Sequence, residues 1–106
     1  MLIMNPQRFF CSHLVTLRNN SVESIVNLEE IWEIGAVLES EDAVEEGSRV
    51  ELRCGRAFFA GRIVRVEAHE IGWRFEVEFS PMTPWNPAEF QPAHLLDVSD
   101  LGKDTG

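Results

Sequence analysis

The feature that most constrains this chain is the run Trp73-Arg74-Phe75-Glu76-Val77-Glu78-Phe79, in which every odd position is apolar and every even one charged. Successive side chains of an extended strand point to opposite faces, so a period of two turns one face to a core and the other to water. The run predicts a half-buried antiparallel strand with Trp73, Phe75, Val77 and Phe79 inward and Arg74, Glu76 and Glu78 outward. A register slip of one residue would bury the charges instead, so the pattern fixes the register as well as the strand.

Further strands follow from the same signal. Arg49-Val50-Glu51-Leu52-Arg53-Cys54 repeats the alternation after the turn signal Gly47-Ser48. Residues 56–68 are long and apolar, but their phase slips near Gly61, from Phe59 and Ile63 on one parity to Val64 and Val66 on the other. A glycine at a phase change predicts a bulge or a close backbone crossing. Residues 13–18 and 23–28 are short β-rich runs joined through Asn19 and Asn20, which tolerate the positive φ of a hairpin turn. Residues 34–40 supply another strand. Six strands separated by turn signals at Asn19-Asn20, Gly47, Gly55 and Gly72 predict an all-β sandwich or small barrel. Pro81, Pro84 and Pro87 keep the next segment out of any central ladder, because each proline lacks a backbone donor. Residues 92–96 are expected to form one helical turn plugging a barrel end, and the chain beyond Asp100 a frayed tail.

A length of 106 residues suits one domain, and 44% hydrophobic with 25% charged residues is ordinary for a globular one. No apolar run approaches the roughly 18 residues of a membrane span, and the first residues lack the basic region of a secretory signal. A cytoplasmic, reducing location is expected, with Cys11 and Cys54 as small hydrophobes. The net charge of -9 argues against nucleic acid polymers and anionic membranes as partners. The charge is unevenly spread. Residues 19–48 carry nine carboxylates and no Lys or Arg, whereas residues 49–74 carry six arginines against three glutamates. Two solvated faces attracting each other explain this, as would an arginine-lined anion site.

Sequence signatures of catalysis are missing: there is no phosphate-binding loop, dinucleotide fingerprint, nucleophile elbow or H-E-x-x-H. His13, His69 and His94 stand on separate segments, and two distant cysteines make no zinc pattern. Neither a metal nor a catalytic residue is assigned. Adjacent acids such as Glu29-Glu30 and Glu45-Glu46 would point to opposite faces of a strand.

The segment Asn27-Leu28-Glu29-Glu30-Ile31-Trp32-Glu33-Ile34-Gly35-Ala36-Val37-Leu38, followed by Gly47-Ser48-Arg49-Val50-Glu51-Leu52, resembles the PilZ domain pattern "[D/N]-x-S-x-x-G-a-x-l" and "G-x-x-v-x-l". The similarity continues through Ala60-Gly61-Arg62-Ile63-Val64 and Val77-Glu78-Phe79 to Trp85 and Pro92-Ala93-His94-Leu95. The resemblance implies a six-stranded antiparallel PilZ-like β-barrel with a short C-terminal helical turn over residues 13–98, between an N-terminal segment (1–12) and a flexible tail (99–106). It also implies a bacterial signalling protein and, in many members of the family, a cyclic di-GMP receptor.

Two elements hold that ligand in the family. The first is R-x-x-x-R before the first strands, whose guanidinium forks grip phosphate and guanine. Here Arg8 is followed four residues later by Ser12, and Arg18 stands alone. The second aligns with Glu30-Ile31-Trp32-Glu33-Ile34-Gly35, leaving Glu30, Trp32 and Gly35 as a motif remnant. Trp32 replaces a small hydroxyl with an indole that donates one hydrogen bond and accepts none. The expectation is therefore a non-enzymatic PilZ-like module with a degenerate cyclic di-GMP site, no cofactor, and a protein partner; Trp85 either folds back over the barrel or, with Phe90, forms the partner contact. The alternative is a cyclic di-GMP receptor using Arg49, Arg53, Arg62 and Arg65 as its anion-binding set. A third class, a small β-barrel enzyme, has no residue in its support.

Overall fold

In the computed structural model, which describes residues 7–97, the alternating segments become strands of one sheet that closes on itself. In chain order they are β1 (Phe9–Asn19), β2 (Val22–Trp32), β3 (Gly35–Ser40), β4 (Arg49–Cys54), β5 (Ala57–His69), β6 (Gly72–Phe79) and β7 (Leu96–Asp97). The order β2-β3-β6-β5-β4-β1, with β1 pairing back onto β2, makes a six-stranded antiparallel barrel. Closure gives each of these strands a partner on both sides, which removes the exposed edges of an open sheet. Among the described residues there is no helix, and so none long and apolar enough to cross a membrane.

The interior follows from alternation. Phe75, Val77 and Phe79 of β6 are buried among Leu28, Leu38, Leu52, Phe59 and Ile63, while Trp73 lies half-buried at the rim. Arg74 and Glu76 are half-buried and Glu78 exposed on the outer face, as the register requires. The phase slip in β5 has a bulge at its origin. Ile63 pairs with Val77 and Arg65 with Glu76, which leaves Val64 as the extra residue. Gly61 accounts for the close crossing: a Cβ there would lie 2.5 Å from the Glu78 carbonyl oxygen and 2.7 Å from Val77 Cγ1.

Two expectations need correction. The first hairpin is longer than the runs 13–18 and 23–28, because β1 starts at Phe9 and β2 reaches Trp32, with a bulge between Phe10 and His13 breaking the alternation there. Its turn does use a left-handed residue, Asn20, with φ 60°. Residues 92–96 form no helical turn. The Ala93 N–H donates to His13 Nδ1 (3.0 Å), and the Ala93 carbonyl accepts from the Ser12 N–H (3.1 Å). His94 then takes a φ of 58°, and the chain continues as β7 against Phe9 and Phe10. Strand pairing satisfies backbone groups at the start of β1 that a helical turn would leave open. Of the two readings of Trp85, the fold back over the barrel is the one found. The proline-rich segment does lie outside the ladder, but it folds back, and Trp85 is only 3% exposed. Its backbone N–H donates to the Glu33 carbonyl (2.8 Å), its indole N–H donates to the Phe90 carbonyl (2.8 Å), and its ring meets Phe9 edge-on at 5.5 Å. Residues 98–106, including the expected tail, lie outside the described residues.

Candidate functional site

The motif remnant gathers on the outer wall of the barrel because β2 carries a bulge. Leu28 pairs with Leu38 and Glu30 with Val37, so Glu29 is the extra residue, and Leu28 and Ile31 both face the core. Glu30 and Trp32 are thereby turned outward, with Gly35 opposite Trp32. The indole lies across Gly35 so closely that a Cβ there would sit 2.7 Å from Trp32 Cζ2 and 2.7 Å from the Val77 carbonyl oxygen. Only glycine allows the indole to rest against β3 in this way. Arg8 closes the assembly from outside. Its guanidinium carbon stands 3.9 Å from the Trp32 ring centroid, and its Nε donates to Glu30 Oε1 at 3.0 Å. Trp32 is left 6% exposed and Glu30 9%. The acid accepts a charge-assisted hydrogen bond, and the indole face receives the cation.

Beside this group, Arg65 and Arg74 with Glu67 and Glu76 join Arg8 and Glu30 around a cleft of about 190 Å³. Small-molecule sites usually enclose roughly 300 to 1,000 Å³. Guanidinium groups do converge near Glu30, but carboxylates converge with them. Arg65 lies 3.7 Å from Glu67, and Arg74 lies 3.4 Å from Glu29.

The four arginines of the alternative set are separated by strand register. Arg49 stands opposite Arg62, Arg53 stands between Thr16 and Phe58, and Arg65 pairs with Glu76 beside the Glu30 cleft. Arg49 and Arg62 line a larger cleft, about 800 Å³, together with Arg18, Asn20, Glu51 and Ser80. Arg18 was not among the expected site residues. The pairing of Arg18 with Glu51 brings it there, across 33 positions of sequence, and no local pattern signals that contact.

Of the two residues expected as partner contacts, neither is fully exposed. Trp85 belongs to the core, and Phe90 is half-buried with its ring edge-on to His13 at 5.2 Å. Sequence reasoning missed the exposed aliphatic side chains instead. Leu14 (70%), Ile25 (66%) and Ile71 (75%) border a groove of about 450 Å³ together with Glu39, Glu41 and Asp42. On the same wall Glu29 of β2 lies near Glu39 of β3. Burial and then Glu39 push the Glu29 carboxyl above its ordinary range, while Arg74 and His69 pull it down. His69 Nδ1 lies 3.3 Å from Glu39 Oε2. The acids that come together here do so across strands rather than within an adjacent pair. Burial pushes the thiols of Cys11 and Cys54 up to about 12, which holds both as unreactive thiols at neutral pH. Among the described residues no group of three His, Cys, Asp or Glu side chains could hold a metal ion.

Neither a family model nor a curated protein sequence matches this chain. Among solved structures, the barrel is similar to the Bacillus subtilis inhibitor of motility (MotI/DgrA), a PilZ-domain protein, with a TM-score of 0.57 and 13% sequence identity. The likeness covers 76% of this chain and 44% of that one, so the chain spans less than half the length of its structural neighbour. At this identity the likeness speaks for the architecture, and with the closed strand order it makes the fold a PilZ-like β-barrel.

Proposed function

We propose that this chain is a non-enzymatic PilZ-like regulatory module that works through contact with a protein partner in the cytoplasm and does not take up cyclic di-GMP. One observation carries the reading: the Arg8 guanidinium already lies on Trp32 and bonds Glu30, where the family resemblance calls for a nucleotide. A guanine base would have to displace both the indole and the cation. The displaced Glu30 would then face the nucleotide phosphates as an unpaired charge. The neighbouring cleft is small and balanced in charge, which favours neither a base nor a diphosphate. Against the rival receptor reading, Arg53 and Arg65 lie away from the Arg49–Arg62 pair.

Support for a protein partner comes from the aliphatic groove. Three large side chains exposed together beside carboxylates are unusual for a solvated sheet face. They suit a partner segment that presents an aliphatic residue flanked by Lys or Arg. That the structural neighbour is an inhibitor of motility agrees with a regulatory role.

The experiment is calorimetric titration with cyclic di-GMP at near-physiological salt. No saturable isotherm is expected at micromolar concentrations, since each missing charge-assisted bond removes about 1.5 to 3 kcal/mol and every 1.4 kcal/mol is tenfold in affinity. A saturable low-micromolar isotherm would overturn the reading.

A further inference from the structure

The reading above leaves unused the cleft of about 800 Å³ bordered by Arg18, Arg49 and Arg62. We propose that this cleft binds a phosphorylated small molecule whose phosphate oxygens are held by those three guanidinium groups.

The shape comes from small residues. Across the outer wall Arg18 stands opposite Glu51 and Glu51 opposite Ala60, where β5 contributes only a methyl group. One side of this depression is fixed by Thr83, whose Oγ1 accepts from the Ala60 N–H (3.0 Å) and donates to the Ala60 carbonyl (3.2 Å). Ser80 is tied down there too, its N–H donating to the same carbonyl at 2.8 Å. The cavity is within the usual size range for small ligands.

The charge arrangement is unsatisfied. Arg49 and Arg62 are directly opposed on antiparallel strands, a like-charge placement that costs stability unless an anion lies between or above them. Glu51 stands opposite Arg18, and Glu78 opposite Arg62. Yet among the described residues no carboxylate comes within 4.0 Å of Arg18, Arg49 or Arg62, whereas Arg8, Arg65 and Arg74 each have one. Three exposed guanidinium forks thus retain donors in the planar geometry that matches phosphate oxygens. The Ser80 hydroxyl oxygen accepts from the Met82 N–H, which leaves its own proton to donate into the cleft. Glu51 and Glu78 in the lining and the net charge of -9 count against a continuous nucleic acid strand and favour a compact ligand. This site is separate from Glu30, Trp32 and Gly35, since Glu78 of β6 stands between Arg62 and Gly35.

The test is titration of the whole chain with pyrophosphate and with ADP, read by calorimetry and by amide spectra at about 0.15 M salt. Saturable binding of at least one of the two is expected, with shifts centred on Arg18, Arg49, Gly61 and Arg62 and none from adenosine. The doubly exposed pair makes R49Q/R62Q a safe variant for folding, and it should lose at least about tenfold in affinity, while R49K/R62K, which keeps charge but not the fork, loses less. R8A should leave the phosphate affinity unchanged, which separates this site from the Trp32 group. Failure of both probes to saturate would overturn the proposal. So would affinity that R49Q/R62Q leaves intact, the mark of an adventitious ion only, or arginine-dependent binding confined to anionic vesicles.

Discussion

Two arginine clusters share the outer wall of this barrel, and they have opposite fates. Around Glu30 each guanidinium has a carboxylate within 4.0 Å, the aromatic face of Trp32 is covered, and the remaining space is about 190 Å³. Around Arg49 and Arg62 the acids stand in neighbouring positions but out of reach, and the space is about 800 Å³. Both sets use the same residue types on the same ladder, so composition does not distinguish them. The bulge at Glu29 does. It puts two successive acids of β2, Glu29 and Glu30, toward the solvent side, where Arg74 and Arg8 reach them, whereas β4 is a regular strand that opposes Arg49 to Arg62. The bulge thus supplies the acids that neutralise Arg8 and Arg74, while Arg65 takes Glu67 of its own strand and Arg49 and Arg62 stay open to an external anion.

The two clusters can be compared only while the wall that carries them stands. Phe75 of β6 is 1% exposed, and its strand holds Arg74, Glu76 and Glu78, which face both clusters. Phe75→Ala should cost about 3 to 5 kcal/mol in chemical denaturation, the usual cost of deleting a core aromatic. A loss under about 1 kcal/mol would mean that the ring is not core and that the register fails. The comparison itself is sharpened by removing one cation from each side. Arg8→Ala takes away the cover of Trp32 and the partner of a nearly buried acid. Because Arg8 is partly exposed, the expected loss is about 1 to 2 kcal/mol, with a red shift in tryptophan emission. Arg62→Ala relieves a like-charge pair and should fall within about 0.5 kcal/mol of the parent, on either side. Equal losses from the two substitutions would erase the distinction between a closed cluster and an open one.

The parts of this molecule that alternate locally were legible in the sequence. β4 and β6 lie where the period of two placed them, and the parity change between Ile63 and Val64 is a bulge at Val64, with Gly61 as the close crossing. Parity reveals that a phase has changed but cannot say which residue absorbs it. Glu30, Trp32 and Gly35 stood out as a group, and the strands do bring them together. Their partner Arg8 was visible only as an isolated arginine, since its contact with Glu30 spans 22 positions and depends on the pairing of β1 with β2. The same reason hid Arg18 from the open cleft and misassigned residues 92–96, whose conformation is set by His13 and Ser12 about 80 positions earlier. Trp85 read as a rigid exposed anchor or, more readily, as a plug folded back over the barrel. Its backbone bond to Glu33 and indole bond to Phe90 decide for the plug, and neither leaves a trace in periodicity.

The smallest expected effect probes the bulge from which the contrast arises. In the folded chain Glu29 holds its proton more tightly than its ordinary value of 4.5 allows, first through burial and then through Glu39, against the pull of Arg74 and His69. A carboxyl whose affinity for its proton is raised by folding makes its full contribution to stability below 4.5, where it is protonated in both the folded and the unfolded chain. That contribution fades as pH rises through the folded value, because the unfolded chain ionises first and the folded one must then carry a desolvated charge beside Glu39. Glu29→Gln cannot ionise, so its stability should decline less than that of the parent between about pH 4 and pH 7, measured by urea midpoints at matched salt. Glu39→Gln should flatten the same interval, since it removes the like charge that opposes ionisation of Glu29. Arg62→Gln, on the open side, should leave the slope of the parent unchanged. Parallel curves for the parent and Glu29→Gln would show that folding does not raise the Glu29 carboxyl. The difference between the two clusters would then rest on reach alone, with no contribution from the titration of β2.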